Sequence, residues 1–330
     1  MEGNMKKVAV ITTGGTIAMA HDPNMGVILS ENKNKELSEI PQIHQIADIE
    51  FHEFFDVPSP YITPGMMFEL SKYVKKILSR SDIDGVVITH GTDTLEETAY
   101  FLDLTIGSEK PVVVTAAMRN WSEPSTDGPM NLIASVKIAS CDLSVDQGVM
   151  VCLNDEIHAA REVTKTYTSN VATFDSPGYG PLGIVDEDTV VFFRRSLERM
   201  YIQTDRIEDR VALIKTYTGD NGAIIKTLPD MGYKGVVIEG FGRGNVPPAV
   251  ADAMEYLLEK NIPVVVVSRC FKGRVLGVYG YIGGGKDLKE RGIILGQEVS
   301  GQKARIKMIV VLGKTKDTES LRRYFEFQNR

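Results

Sequence analysis

The sequence predicts an α/β protein, with a larger N-terminal domain built on a parallel sheet and a smaller α/β domain after it. Three observations carry this. Short β-branched runs such as Val8-Ala9-Val10-Ile11-Thr12 and Val86-Val87-Ile88-Thr89 read as buried strands. Between such runs lie segments whose apolar residues recur at helical spacing, Leu95, Ala99 and Leu102 among them. Strand–helix alternation of this kind means a parallel sheet covered by helices on both faces. Finally, a charge-rich stretch over 192–209 interrupts the series before strands resume. The expected division is a domain over 1–195, a linker over 196–210 and a second domain over 211–330, and a length of 330 residues also favours two domains.

The first strand runs into Thr13-Gly14-Gly15-Thr16, two glycines that let the chain turn and then a hydroxyl. Residues 19–35, rich in Asn, Asp, Lys and Gly, read as a long mobile loop and a candidate lid. A strand is expected over 49–57. Thr63-Pro64 is a helix start, cap then first-turn proline, with Met67, Leu70, Val74 and Ile77 as the buried face. The strand over 86–89 ends in His90-Gly91-Thr92-Asp93. Taken alone, Thr92 or Asp93 need only cap the helix that follows. In an open α/β sheet, however, this is the kind of turn at which ligands bind. His90 is read as a satisfied histidine that positions it.

Further strands are expected over 111–119 and 148–153, with a helix between them opened by Asp127-Gly128-Pro129 and faced by Leu132, Val136 and Ala139. Right-handed crossovers place these strand ends along one edge. In the second domain strands are expected over 211–215, 235–239 and 263–267. Helices are expected before Met231-Gly232, from Pro247-Pro248 with Val250, Met254 and Leu257 inward, and at Leu321, Tyr324 and Phe325.

Composition excludes several classes. Apolar and charged fractions of 43% and 25% are those of an ordinary globular protein. A net charge of -7 without a basic tract argues against nucleic acid as a partner. No apolar run has the length of a membrane span, and the N-terminal residues lead directly into a strand too short for a signal-peptide core, so a cytoplasmic protein is expected. Cys141, Cys152 and Cys270 form no CxxC pair and read as reduced, buried residues. The five histidines have no metal-ligand spacing, so neither a metal nor another cofactor is expected. Two glycine clusters suggest nucleotides and then fail the test. Residues 240–245 are spaced G-x-G-x-G, and the P-loop-like run over 280–287 ends in Asp287, a carboxylate that would repel phosphate.

Read as whole phrases, TGGTIA and VVITHGTDTLEETAYFLDL closely resemble the bacterial-type L-asparaginase/glutaminase family. The resemblance covers nearly the whole chain and implies an asparaginase/glutaminase-like fold. Its anchors stand in the family's order: Thr16 as nucleophile, the pair Thr92-Asp93, Lys165 within Arg161-Glu162-Val163-Thr164-Lys165-Thr166, and Asn245, which matches an asparagine that helps complete a neighbouring subunit's site. Gly15 and Gly91 belong to the same turns. Ser59 matches the serine that holds the substrate α-carboxylate, a task that hydroxyl and N–H groups suit. The oxyanion donors are expected in the turn after Gly91 or near Ala117.

Departures from the family pattern accompany these matches. No tyrosine occurs before Tyr61, so the lid lacks the family's tyrosine. Pro60 stands where a polar residue is usual, and the glutamate that pairs with that tyrosine has only Asp287 and Glu290 as candidates. The expected activity is hydrolysis of the side-chain amide of L-asparagine to L-aspartate and ammonia through a threonine acyl-enzyme. A lysine buried beside Thr92 could exchange protons near neutrality. The alternatives are a divergent amidase acting on glutamine or another amide, and a non-catalytic binding protein of the same fold. A third, the amide-releasing subunit of a tRNA-dependent amidotransferase, is disfavoured because that subunit carries an extra N-terminal domain. The expected partners are a small amide and, for a shared site, further copies of the chain as a dimer or tetramer.

Overall fold

A computed structural model describes residues 5–326 except 23, 25, 30–32, 198, 297 and 298. The chain forms two compact units, Met1–Tyr201 and Ile202–Arg330.

In the first unit the strands are β1 (Lys7–Thr12), β2 (Met19–Asp22), β3 (Gly26–Leu29), β4 (Asp48–Glu53), β5 (Gly85–Thr89), β6 (Val112–Thr115), β7 (Val149–Leu153), β8 (Glu156–Ala159), β9 (Thr164–Lys165), β10 (Phe174–Asp175), β11 (Gly183–Asp186) and β12 (Thr189–Phe192). The helices are α1 (Lys33–Ser38), α2 (Pro41–Ile46), α3 (Pro64–Leu78), α4 (Leu95–Thr105) and α5 (Gly128–Ser140). Eight strands make one sheet in the order β12-β11-β8-β7-β6-β5-β1-β4. From β4 to β7 all pairs are parallel, as the alternation predicts.

Register explains the two-sided burial. Val10, Val87, Val113 and Met150 stand abreast across four strands on the face covered by α1, α2 and α5. Ile11, Ile88, Val114 and Val151 stand abreast on the face covered by α3 and α4. A strand apolar at every position therefore serves two cores. α3 begins where expected: the Thr63 hydroxyl accepts from Met66 N at 3.2 Å.

The sheet is parallel over its larger part, as expected, and continues into antiparallel strands where Asn154 and Asp155, with φ of 51° and 61°, turn β7 back into β8. Two residues in the left-handed region are the hairpin signal here. Residues 19–35 do not form one loop. β2 and β3 pair as a hairpin, Met19 opposite Leu29 and Asp22 opposite Gly26, and α1 follows. The polar residues of that stretch disguise a short Gly-Val-Ile-Leu strand. The strand expected over 49–57 stops at Glu53, and the one over 111–119 covers only Val112–Thr115.

The edge strand β4 is covered in charge. Arg80 grips Glu50 through two bonds, Nη1 to Oε1 at 2.5 Å and Nη2 to Oε2 at 2.9 Å, and Lys7 adds a third contact at 3.0 Å. Charged edges of this kind discourage pairing with a foreign strand.

The second unit has four parallel strands, β13 (Val211–Lys215), β14 (Gly235–Gly240), β15 (Val264–Ser268) and β16 (Ile294–Leu295), in that order. Its helices are α6 (Ala223–Thr227), α7 (Pro248–Glu259), α8 (Gly285–Glu290), α9 (Gly301–Lys314) and α10 (Thr318–Phe325). Val250, Met254 and Leu257 of α7 are fully buried with Val236, Ile238 and Val264. The expectation that all three cysteines are buried holds for Cys152 alone. Cys141 is half-buried, and Cys270 is exposed in the polar turn after β15.

Candidate active site

The site is assembled at the carboxyl ends of β1 and β5. Beyond β1, Thr13 donates twice to Thr89 O, from its N–H at 3.1 Å and its hydroxyl at 2.8 Å. Gly14 and Gly15 then take φ of 94° and 84°. A Cβ on Gly15 would lie 2.4 Å from Gly91 N, and one on Gly91 would lie 2.7 Å from the Ser59 hydroxyl. Gly15, Gly91 and Ser59 thus meet in space that admits no further side chain. Thr16 follows as the first residue of a 3-10 turn over Thr16–Ala18, half-buried, and Thr92 follows Gly91 with 6% of its surface exposed. The two threonines therefore flank one backbone contact.

His90 sets the second turn. It is fully buried, its Nδ1 lies 2.8 Å from Gly91 O and its Nε2 lies 3.0 Å from the Thr98 hydroxyl. A carbonyl can only accept, so Nδ1 carries the proton and Thr98 donates to Nε2. Burial lowers its pKa to about 4, with the Gly91 bond opposing, so the ring is neutral at pH 7. On the other side of Gly91, the Thr94 hydroxyl donates to Ser59 O at 2.8 Å and fixes Ser59, itself 4% exposed.

Lys165 reaches this turn from a separate element. Its Nζ donates to Thr92 Oγ1 at 2.9 Å and to Asp93 Oδ1 at 2.7 Å. Its side chain is 15% exposed, while that of Asp93 is 61% exposed, so one end of the pair is sheltered and the other meets solvent. The two-stranded ribbon β9–β10 presents the lysine, with Phe174 opposite Lys165. Thr173 closes the ribbon: its hydroxyl donates to Tyr167 O at 2.6 Å and accepts from Tyr167 N at 3.1 Å, and its carbonyl accepts from Thr166 N at 2.7 Å. Behind it, the buried Glu162 carboxylate pairs with Arg194 at 2.6 Å.

Ala117 is fully buried just beyond β6. Met118 N and Arg119 N both donate to the Asp127 carboxylate, so two of the oxyanion donors expected near Ala117 are already engaged. Pro60 is exposed in the 3-10 turn Ser59–Tyr61. Asn245 belongs to the second unit, where it bridges to Phe241 and its Oδ1 accepts from Gly285 N at 3.3 Å. Asp287 there accepts from Gly283 N at 2.8 Å and from Arg291 at 3.1 Å, whereas Glu290 is exposed. Among the described residues no group of His, Cys, Asp or Glu is arranged to hold a metal. Sequence reasoning missed Thr94, Thr98, Asp127 and Asn131. Asp127 stood out only as a helix start, and nothing in the spacing marks the other three.

Residues 7–198 match the family model for the asparaginase N-terminal domain, and residues 210–325 match the glutaminase/asparaginase C-terminal domain. An L-asparaginase of Bacillus licheniformis is 38% identical over 312 residues, covering 94% of this chain and 97% of that protein. A glutamyl-tRNA(Gln) amidotransferase component from Pyrococcus abyssi is 33% identical over 335 residues, 97% of this chain and 75% of that protein. A crystal structure of a probable cytoplasmic L-asparaginase from Campylobacter jejuni superposes with a TM-score of 0.87 at 34% identity, covering 97% of this chain and 99% of that one.

Proposed function

This chain belongs to the asparaginase family, and from that premise we propose that it is an amidohydrolase converting L-asparagine to L-aspartate and ammonia. The observation that carries the reading is the Lys165 Nζ, within hydrogen-bond reach of both Thr92 and Asp93 beside the turn where Gly15 abuts Gly91. A threonine hydroxyl is a weak nucleophile and needs a positioned proton acceptor. Thr16 attacks the carboxamide carbon while its proton passes by way of Thr92 to the Lys165 amine; that proton returns to the amide nitrogen, which leaves as ammonia. Water then attacks the acyl-threonine ester, losing one proton by the same route to the departing Thr16 oxygen, so that aspartate is released and the threonine hydroxyl restored. Asp93 takes the substrate ammonium, Ser59 its carboxylate, and N–H groups of the Gly91 turn or Ala117 face the oxyanion.

The Campylobacter jejuni neighbour, described as cytoplasmic, supports a cytoplasmic setting for this chain. We also read the protein as a homo-oligomer in which Asn245 serves the site of a neighbouring copy. Residues 1–201 carry 29 Asp and Glu against 16 Lys and Arg, whereas the rest carry 15 against 21. Opposite charges favour the first unit of one copy meeting the second unit of another. The second unit also exposes Phe271, Val278, Tyr279, Tyr281 and Ile282 within one segment, the kind of patch that marks association.

Ammonia release measured with L-asparagine, D-asparagine, L-glutamine and succinamate tests the activity. L-Asparagine should lead, and Thr16→Val should lower its turnover by at least about a thousandfold. Near-full turnover in Thr16→Val would rule out the mechanism. Release from the other amides alone would replace the substrate and direct attention to Pro60.

A further inference from the structure

Asp127 precedes α5 at the position where an aspartate ordinarily turns its carboxylate back onto the helix's own first N–H groups. It makes no such bond. Its oxygens accept instead from Met118 N at 3.1 and 3.0 Å and from Arg119 N at 2.9 Å. Asn131, one helical turn further on and 3% exposed, holds the carboxylate from behind. Its Nδ2 donates to Asp127 Oδ2 at 3.1 Å and to Ala116 O at 2.9 Å, and its Oδ1 accepts from Asn154 N at 2.9 Å. One buried amide therefore ties together the end of β6, the loop behind it and the β7–β8 turn.

This knot lies against the proposed nucleophile's neighbour. A Cβ on Gly128 would come within 3.1 Å of Ile17 Cγ1 and 3.6 Å of the Ala117 methyl, so the first residue of α5 touches both the turn after Thr16 and the turn after β6. A carboxylate accepting from two successive N–H groups is a strong, charge-assisted clamp. It allows the 117–119 backbone one orientation, and with it the atoms of Ala117.

We propose that Asp127, held by Asn131, is a positioning residue that fixes the 117–119 turn against Thr16 and so sets the fit of the substrate's amide. This rests on the amidohydrolase reading above. A positioning error of about 1 Å can cost about a hundredfold in rate without touching a reacting atom. Asp127→Asn keeps the shape but turns an NH2 group toward either the two N–H groups or the Asn131 amide. We expect kcat for L-asparagine to fall roughly 10- to 100-fold with KM changed less than about twofold. Amide exchange at Met118 and Arg119 should accelerate while α5 itself stays protected. Asn131→Asp, which sets a second carboxylate against the first, should give the same loss. Asp127→Ser, whose acceptor is too short to span both N–H groups, replaces Asp127→Asn should that variant not fold.

The exchange measurement on the whole protein needs no turnover. A wild-type chain inactive on every amide would thus remove the functional reading, while exchange still reports on the clamp. Unchanged exchange at both amides overturns the proposal. So does accelerated exchange with kcat intact.

Discussion

At the scale of single residues, the site depends on groups whose protonation and placement the fold decides. The buried His90 makes a pH prediction. Its ordinary pKa of 6.5 falls to about 4 in the native state, so below pH 6.5 the unfolded chain binds a proton that the folded one refuses. Its contribution is complete above pH 6.5 and is lost as pH falls toward 4, on the order of 3 kcal/mol in all. Thermal unfolding followed from pH 7 to 4 should therefore show a shallower fall in Tm for His90→Gln than for the wild type. Equal slopes would mean that the folded and unfolded chains bind this proton alike. How far such residues can be read in advance depends on their company. Gly91, Thr92 and Asp93 were legible because strand, turn and helix are contiguous around them. Lys165 had no such frame: a lysine in a polar stretch reads as a surface residue, and only the family likeness singled it out. Its shelter comes from a ribbon whose second strand begins nine positions later.

At the scale of elements, long apolar periodicities were legible and short or polar ones were not. β1, β5, α3, α4 and α7 lie where the patterns place them, because each buries an apolar face deep in a core. β2 and β3 were missed because a few alternating residues among Asn, Asp and Gly carry little signal. β9 and β10, two residues each, are held by side chain–backbone bonds that periodicity does not register. That ribbon yields an element-scale prediction. Thr173→Val keeps the shape but removes the hydroxyl that both donates to and accepts from Tyr167. The loss should be about 1–3 kcal/mol, with turnover falling as Lys165 loses its register on Thr92. Chemical denaturation together with ammonia release checks it, and a variant as stable and as active as wild type would show that the ribbon holds without Thr173.

At the scale of the whole molecule, the uneven charge of the two halves bears on assembly. If oppositely charged units of different copies meet, association should weaken from low to molar salt, and activity should fall with it wherever Asn245 acts across copies. Light scattering and ammonia release over the same salt series test this together, and a fully active monomer would end the shared-site reading. The Lys165 contact carries one further consequence, for the order in which function arrives during folding. Thr92 and Lys165 are 73 residues apart in sequence, one in the turn beyond β5 and the other on the β9–β10 ribbon, so their meeting requires a long-range closure. On the proposed reading, a refolding chain is expected to regain its strand and helix signal before its turnover, because the ribbon that carries Lys165 must close onto Thr92 before any amide is cleaved. Circular dichroism and ammonia release recovering together would overturn this.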